Sequence, residues 1–248
     1  MGQRRVELLE LVSQHGKIEV NELSRLLHAS QVTVRKDLEY LTEKGILRRK
    51  RGYAMLKHPD DINYQMAFQY EEKEKIGKAA SALVKDGETI IVECGSTCAL
   101  FAEEVLKHHK HITIITNSTY IAHFIQDKPN VEIILLGGNY QKHSQASVGP
   151  ITKQYASQFS VDKIFVGTGG FNFKDGFTGN DITRTDTIKS MTKSAKQIIL
   201  LADSKKFIHP GSVPFLKPEE VHQVITDQGL PEDVKAYFYE KNVHVQFV

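Results

Sequence analysis

Apolar positions recur at helical spacing over the first 57 residues and gather into short β-branched runs thereafter, so the period itself divides the chain. From Arg4 to His15, Leu8, Leu11 and Val12 share one stripe, and Gly16 ends the helix they predict. A second, short helix is expected with Asn21 as its cap and Leu23, Leu26 and Leu27 turned inward. Ser30 can cap a third, in which Val34, Leu38 and Leu41 stand at i, i+4 and i+7 and Gly45 is the stop. On the helical wheel Lys36 lies opposite that apolar stripe, with Thr33 and Tyr40 flanking it on one side and Arg35 on the other. Two short helices joined by a tight turn, the second with a basic outer face, predict a helix-turn-helix. The run Arg48-Arg49-Lys50-Arg51 leading to Gly52 then has the composition of a β-hairpin wing lying on a phosphate backbone.

Beyond a break at His58-Pro59-Asp60-Asp61, residues 58–72 show no clear period and read as a linker, or as an interdomain or dimer contact using Tyr64, Phe68 and Tyr70. The remainder alternates. Strands are expected at Thr89 to Glu93, Ile112 to Thr116, Val131 to Leu136, Lys163 to Val166, Gln197 to Ala202, Gln223 to Thr226 and His244 to Val248. Helices fall between most of them, at Glu74 to Val84, Thr97 to Lys107 and Thr183 to Ala195. Continuously apolar strands separated by helices predict a doubly wound, mainly parallel α/β sheet covered on both faces. The expected organisation is therefore a winged helix-turn-helix over 1–57, a linker over 58–72 and a larger α/β domain over 73–248.

Charge follows the same division. Residues 1–57 hold 12 Lys or Arg against 7 Asp or Glu, whereas the rest hold 20 against 23, although the whole chain is only +2. Seven of eight arginines lie in the head, and Arg184 alone lies later. The guanidinium fork suits phosphates and guanine edges, so the head is expected to meet nucleic acid. No apolar run is long enough to cross a bilayer, and a soluble, cytoplasmic protein is expected. Cys94 and Cys98 lack further ligands nearby and read as buried small side chains; neither a metal nor a cofactor is expected.

In open parallel sheets ligands bind beyond the carboxyl ends of the strands, so the residues just after each strand matter most. The first strand leads into Gly95-Ser96-Thr97, where glycine, two hydroxyls and free helix N–H groups suit an anion. The second ends in Thr116-Asn117-Ser118, the third in Gly137-Gly138, the fourth in Gly167-Thr168-Gly169-Gly170 and the fifth in Asp203-Ser204-Lys205-Lys206. Taken singly, each reads as a helix cap or a plain turn. Five such ends on one rim point to a small-anion pocket.

The run Ser30-Gln31-Val32-Thr33-Val34-Arg35-Lys36-Asp37-Leu38, then Leu41 and Gly45-Ile46-Leu47-Arg48, resembles the DNA-binding signature of the DeoR family of bacterial sugar-metabolism regulators. Arg51-Gly52-Tyr53-Ala54 departs from the His-Gly-Gly-Ala common there. The body resembles the DeoR-type sensor domain, itself similar to ribose-5-phosphate isomerase, best in Lys73, Ile76-Gly77, Ala79-Ala80, Val84, Gly87, Thr89-Ile90 and Gly95-Ser96-Thr97. This resemblance implies that Lys73, Ser96 and Thr97 hold a phosphate; for Lys73 a plain solvated helix residue is the alternative. The isomerases carry an acidic cluster where this chain has Gly167 to Asn172, so the resemblance implies binding without turnover and no catalytic residue. Glu93, Asp181, Asp186 and Asp203 remain as carboxylates that could substitute, and Asp186 stands where the family usually has glutamate.

The expectation is a DNA-binding transcription regulator, a repressor by the family's habit, controlled by a phosphorylated sugar. Ser30, Gln31, Val32, Thr33, Arg35 and Lys36 would approach the bases and the adjoining backbone of an operator, with Arg48, Arg49, Lys50 and Arg51 on phosphates. Lys73, Gly95, Ser96, Thr97, Thr116, Asn117, Ser118, Gly138, Gly167, Gly169, Gly170, Asp203 and Lys206 would form the effector site. A homodimer or homotetramer on repeated half-sites is expected, because one head offers little area. The alternatives are a sugar-phosphate isomerase with a basic appendage and an architectural DNA protein without an effector.

Overall fold

A computed structural model describes residues 3–43, 47–50, 52–55 and 61–248, and two compact units divide at Glu71 and Glu72. The first unit opens with α1 (Gln3–His15), β1 (Lys17–Glu19), α2 (Val20–Leu26) and α3 (Gln31–Glu43). It continues with β2 (Arg48–Lys50), β3 (Tyr53–Met55) and α4 (Ile62–Ala67). Leu8, Leu9 and Val12 of α1, Leu23 of α2 and Val34, Leu38 and Leu41 of α3 close one core with Ile18, Leu47 and Ala54. Each such leucine contributes about 1.5–3 kcal/mol by leaving water, and the α3 members are those spaced i, i+4, i+7.

The wing is a three-stranded antiparallel sheet in the order β1-β3-β2, with Lys50 opposite Tyr53 and Glu19 opposite Tyr53 on the other side. Gly52 takes φ +85°, as a tight hairpin requires, while Tyr53 keeps an ordinary strand conformation. That is why the family's second glycine is dispensable here. Instead the Tyr53 hydroxyl donates to Glu19 Oε1 at 2.6 Å, and the Lys17 ammonium sits 4.0 Å from its ring centre.

Three local readings change. The second helix starts at Val20, and its N-cap position is Glu19, so Asn21 is an ordinary residue of its first turn. The Val20 N–H is taken by Gly52 O at 3.1 Å, which fixes the helix start two residues early. Leu26 is exposed: Leu23 lies in the core and Leu27 packs against it, while Leu26 is rotated outward by about 100° from Leu27. The stretch 58–72 contains α4, which Asp61 caps by accepting from the Asn63 N–H at 3.0 Å and which places Ala67 in the head core. The head therefore extends through a segment read as linker, because Ile62, Met66 and Ala67 supply an apolar face that the short window obscured. Gly45, Arg51 and residues 56–60 lie outside the described residues, as do the side chains of Arg48, Arg49 and Lys50.

The second unit begins within α5 (Tyr70–Ser81) and continues through β4 (Thr89–Val92), α6 (Ser96–His108), β5 (Ile112–Thr116), α7 (Thr119–Ile125) and β6 (Val131–Leu135). A small ribbon, β7 (Asn139–Gln141) and β8 (Ala146–Val148), precedes α8 (Pro150–Ala156) and β9 (Val161–Val166). Then come β10 (Gly170–Asn172), β11 (Gly176–Gly179), α9 (Ile182–Thr192), β12 (Ala195–Leu201) and β13 (Val213–Leu216). The unit ends with β14 (Gln223–Thr226), α10 (Glu232–Glu240) and β15 (Val245–Phe247).

Seven of these strands form one parallel sheet in the order β6-β5-β4-β9-β12-β14-β15. All seven fall where the alternation of apolar runs places them. From β4 the chain proceeds outward to β5 and β6, and from β9 it proceeds the other way, so the strand order reverses between β4 and β9. Ligand crevices in open parallel sheets lie at such a reversal, outside the carboxyl ends. The small antiparallel sheet β10-β11-β13 sits on residues that single-sequence periodicity left as loop.

Candidate functional site

The head presents α3. Its first turn is fixed by Ser30, whose Oγ accepts from the Thr33 N–H at 3.2 Å and lies 2.9 Å from the Thr33 hydroxyl. The apolar stripe is buried, while Gln31, Val32, Arg35, Lys36 and Glu39 are exposed, so one face of α3 is free to enter a groove. Asp37 does otherwise. Buried on the inner face, its two oxygens accept from Arg4 Nε at 2.6 Å and Arg5 Nε at 2.8 Å. Burial alone raises a carboxyl pKa, yet the two guanidinium bonds outweigh it and hold Asp37 below the usual carboxylate range. The Arg5 guanidinium also lies 3.8 Å from the Tyr40 ring centre. Two head arginines thus brace α1 against α3.

On the body's rim, β4 and β9 are joined at their carboxyl ends by one side chain. Glu93 Oε1 accepts from the Gly167 N–H at 2.8 Å, and the thiols of Cys98 and Cys94 donate to the same carboxylate at 3.4 and 3.6 Å. Burial pushes the Glu93 carboxyl above its ordinary range, opposed by the Gly167 N–H, the Cys98 thiol and the nearby Arg184 charge. Both thiols are buried and pushed well up, first by burial and then by the Glu93 charge, so they are unreactive packing groups as expected. A Cβ at Gly95 would stand 2.2 Å from Glu93 Oε1, so this glycine is required by close approach rather than by an unusual φ. Just beyond it α6 starts with no side-chain cap and with Ser96 and Thr97 buried in its first turn. Its leading N–H groups therefore keep the anion-binding character of a free helix start.

Lys73 is not a solvated helix residue. It and Asp203 are each only 1% exposed, and Lys73 Nζ lies 4.0 Å from Asp203 Oδ2. Burial lowers the Lys73 pKa to about 7; Asp203 and Glu72 oppose the shift and Lys206 reinforces it. Among the described residues the buried side-chain atoms without a hydrogen-bond partner are Asn117 Oδ1, both oxygens of Asp203 and Thr226 Oγ1. All four stand at the carboxyl ends of β5, β12 and β14, and all can accept a proton donor. Buried polar groups are normally paired, so their concentration on one rim marks where a donor-bearing ligand or water belongs.

Other rim residues have internal duties. Ser118 Oγ caps α7 by accepting from the Ile121 N–H, and Thr116 Oγ1 accepts from the Ser118 N–H, each at 3.1 Å. Asn117 Nδ2 donates to Ser147 O at 3.0 Å, leaving its oxygen as the open half of the amide. The Gly167 N–H serves Glu93, that of Gly169 donates to Thr178 O at 2.8 Å, and Gly170 packs against the His209 carbonyl. A Cβ at Gly138 would meet the Thr152 hydroxyl. Lys153 and Asp186 pair at 2.7 Å, and Asp181 caps α9 by accepting from the Arg184 N–H at 2.7 Å. Arg184 also bears on this rim, though the sequence does not single it out as a contact. Its only signal was being the one arginine outside the head, and it stands near enough to act electrostatically on Glu93 and Cys94.

Comparison with known proteins agrees with both halves. The chain is 28% identical across 246 residues to the HTH-type transcriptional repressor CsqR of Escherichia coli (strain K12), covering 98% of this chain and 94% of that protein. It is 31% identical across 244 residues to the HTH-type transcriptional repressor GlcR of Bacillus subtilis (strain 168), covering 97% and 93%. A putative aga operon transcriptional repressor of Escherichia coli O157:H7 is 26% identical across 237 residues, covering 93% and 88%. Ribose 5-phosphate isomerase A of Methanocaldococcus jannaschii overlays 56% of this chain and 55% of its own at 20% identity and a TM-score of 0.41, too slight a likeness to bear on activity. Residues 4–59 match the DeoR-like helix-turn-helix domain and residues 68–228 match the DeoR C terminal sensor domain, and the chain belongs to the DeoR family of transcription regulators.

Proposed function

We propose that this regulator represses a sugar-metabolism operon and is released from, or retained on, its operator by a phosphorylated sugar bound at the carboxyl rim of the parallel sheet. The observation that carries the effector reading is the buried Lys73 beside Asp203, on a rim where, among the described residues, Asn117 Oδ1 and both Asp203 oxygens are buried acceptors without a hydrogen-bond partner. Lys73, Lys206, Ser96, Thr97 and the uncapped start of α6 supply cations and donors for a phosphate. Asn117 and Asp203 supply acceptors for hydroxyls, which a bare phosphate dianion cannot satisfy. A ligand with an anionic end and a hydroxylated end answers both demands.

Turnover is not part of this reading. Isomerisation needs a carboxylate base aimed at the substrate, whereas the strand end after Val166 carries glycines and Glu93 is engaged by Gly167, Cys94 and Cys98. In the head, Gln31, Val32, Thr33, Arg35 and Lys36 face the major groove and Arg48, Arg49, Lys50 and Arg51 meet phosphates. Two or four copies on repeated half-sites supply the area that one head lacks.

The test is a thermal-shift panel of phosphorylated sugars, the parent sugars and inorganic phosphate, followed by gel shift on DNA upstream of the protein's own gene. A phosphosugar should raise the melting temperature and alter operator binding, with the parent sugar and phosphate each giving much less. A panel without any shift overturns the effector reading, and ketose formed from ribose 5-phosphate would instead favour the isomerase reading.

A further inference from the structure

We propose that Val32 reads the 5-methyl group of a thymine in each operator half-site. This rests on the DNA-binding reading of the head and adds to it the base that is recognised and the atoms that recognise it.

Val32 is the second residue of α3 and is 64% exposed; among the described residues of the head, the one other exposed large hydrophobic is Leu26, at 38%. The outward face of α3 is otherwise polar, with Gln31, Arg35, Lys36 and Glu39. An isolated valine on such a face gains nothing from water, yet it stands in the turn that recognition helices direct at base edges. Valine has neither donor nor acceptor, so it cannot read the hydrogen-bonding edges of guanine, adenine or cytosine. The thymine methyl is the apolar feature of the unmodified major groove, and burying it against the two valine methyls removes apolar surface from water.

Two further features make the contact specific. The hydroxyl of Ser30 caps the first turn through the Thr33 N–H, which fixes the backbone on either side of Val32. A β-branched side chain on a helix keeps largely to one χ1 rotamer, so the valine methyls are presented in one direction with little entropy to lose. Lys36, exposed and four residues on, lies about 6 Å further along the helix axis. At about 3.4 Å per base pair, a guanine read by Lys36 lies about two steps from that thymine. The basic residues Arg35 and Lys36 beside Val32 favour an anionic partner over an apolar protein surface.

The experiment starts from operators selected by the full chain from a random DNA pool. Each thymine of the selected half-site is then replaced by uracil, which deletes the methyl and keeps the pairing. One thymine, about two base pairs from a guanine whose replacement is no longer felt by Lys36→Ala, should lose affinity about fourfold on becoming uracil, the size expected for one buried methyl. Val32→Ala should melt with the wild type, since the side chain is exposed. It should bind thymine DNA about fourfold more weakly and be indifferent to uracil at that one position. Equal uracil losses in wild type and Val32→Ala, or no sensitive thymine at all, overturn the assignment and leave DNA binding intact. Enrichment of no sequence overturns both.

Discussion

The two halves of this regulator handle charge in opposite ways. In the head, Gln31, Val32, Arg35 and Lys36 on α3 are exposed, and buried Asp37 is matched by two guanidiniums at 2.6 and 2.8 Å. In the body, Lys73, Ser96, Thr97, Asn117 and Asp203 of the proposed effector site are buried, and the ion pair of Lys73 with Asp203 is open at 4.0 Å. DNA is itself highly charged and comes to a solvated surface, so the reader needs little burial. A small metabolite must be enclosed, and an enclosing site has to hold charges away from water before the ligand arrives. Asp37 is thus tightly matched without DNA, whereas the Lys73–Asp203 pair stands open without a ligand.

The contrast can be broken most directly at Asp203. Its removal takes from the buried Lys73 ammonium the strongest of the charges that favour it, and where that ammonium is charged, loss of a buried partner costs about 3–5 kcal/mol. The sign follows from linkage. Lys73 titrates near 7 in the folded protein and at its ordinary value of 10.5 when unfolded, so the folded form binds fewer protons between those limits. This group's penalty is therefore full below pH 7 and is relieved as pH rises toward 10.5. Urea unfolding should show Asp203→Ala strongly destabilised at pH 6 and much less so at pH 9; equal losses at both would separate Asp203 from Lys73.

Lys73→Met comes next. Replacing a buried cation by an apolar chain should leave the melting temperature unchanged or higher, preserve operator binding and abolish the phosphosugar shift. In the wild type, effector affinity should weaken above pH 7 by up to about tenfold per unit, because binding a dianion must then recharge Lys73. Calorimetry in two buffers of different ionisation enthalpy would register the proton taken up, and its absence would remove Lys73 from the phosphate.

Smaller effects are expected in the head. Lys36→Ala should weaken specific binding by about 1–3 kcal/mol while random DNA loses only one phosphate-like contact. Similar losses on both would make Lys36 a backbone contact. Asp37→Asn keeps the shape but removes the charge that braces Arg4 and Arg5 and turns one acceptor into a donor; about 1.5–3 kcal/mol of head stability should go, read by urea unfolding. No change there would mean that packing alone sets the angle between α1 and α3.

Legibility in the sequence follows the same division. Exposed basic residues opposite an apolar stripe announce themselves by period and composition, so α3 and its outward face at Lys36 were readable from spacing alone. The seven parallel strands were readable because burial on both faces makes them continuously apolar. What could not be read is which rim residues turn inward. Thr116 and Ser118 have the composition of ligand contacts but satisfy their own turn, and the glycine run after β9 uses the N–H groups of Gly167 and Gly169 internally. Arg184 acts on Glu93 from 91 positions further along the sequence, a relation that only folding creates. The helix α4 escaped notice because six residues hold too few turns for a period to show.

The bond between Glu93 and Gly167 has a consequence for the order in which the molecule is made. It joins residues 74 apart, and the central pair β4–β9 that it closes cannot form until β9 has emerged from the ribosome. The head's partners, by contrast, all lie within its first unit and are available much sooner. During synthesis a finished DNA reader therefore precedes a finished sensor, and a chain interrupted between them would carry the first without the second.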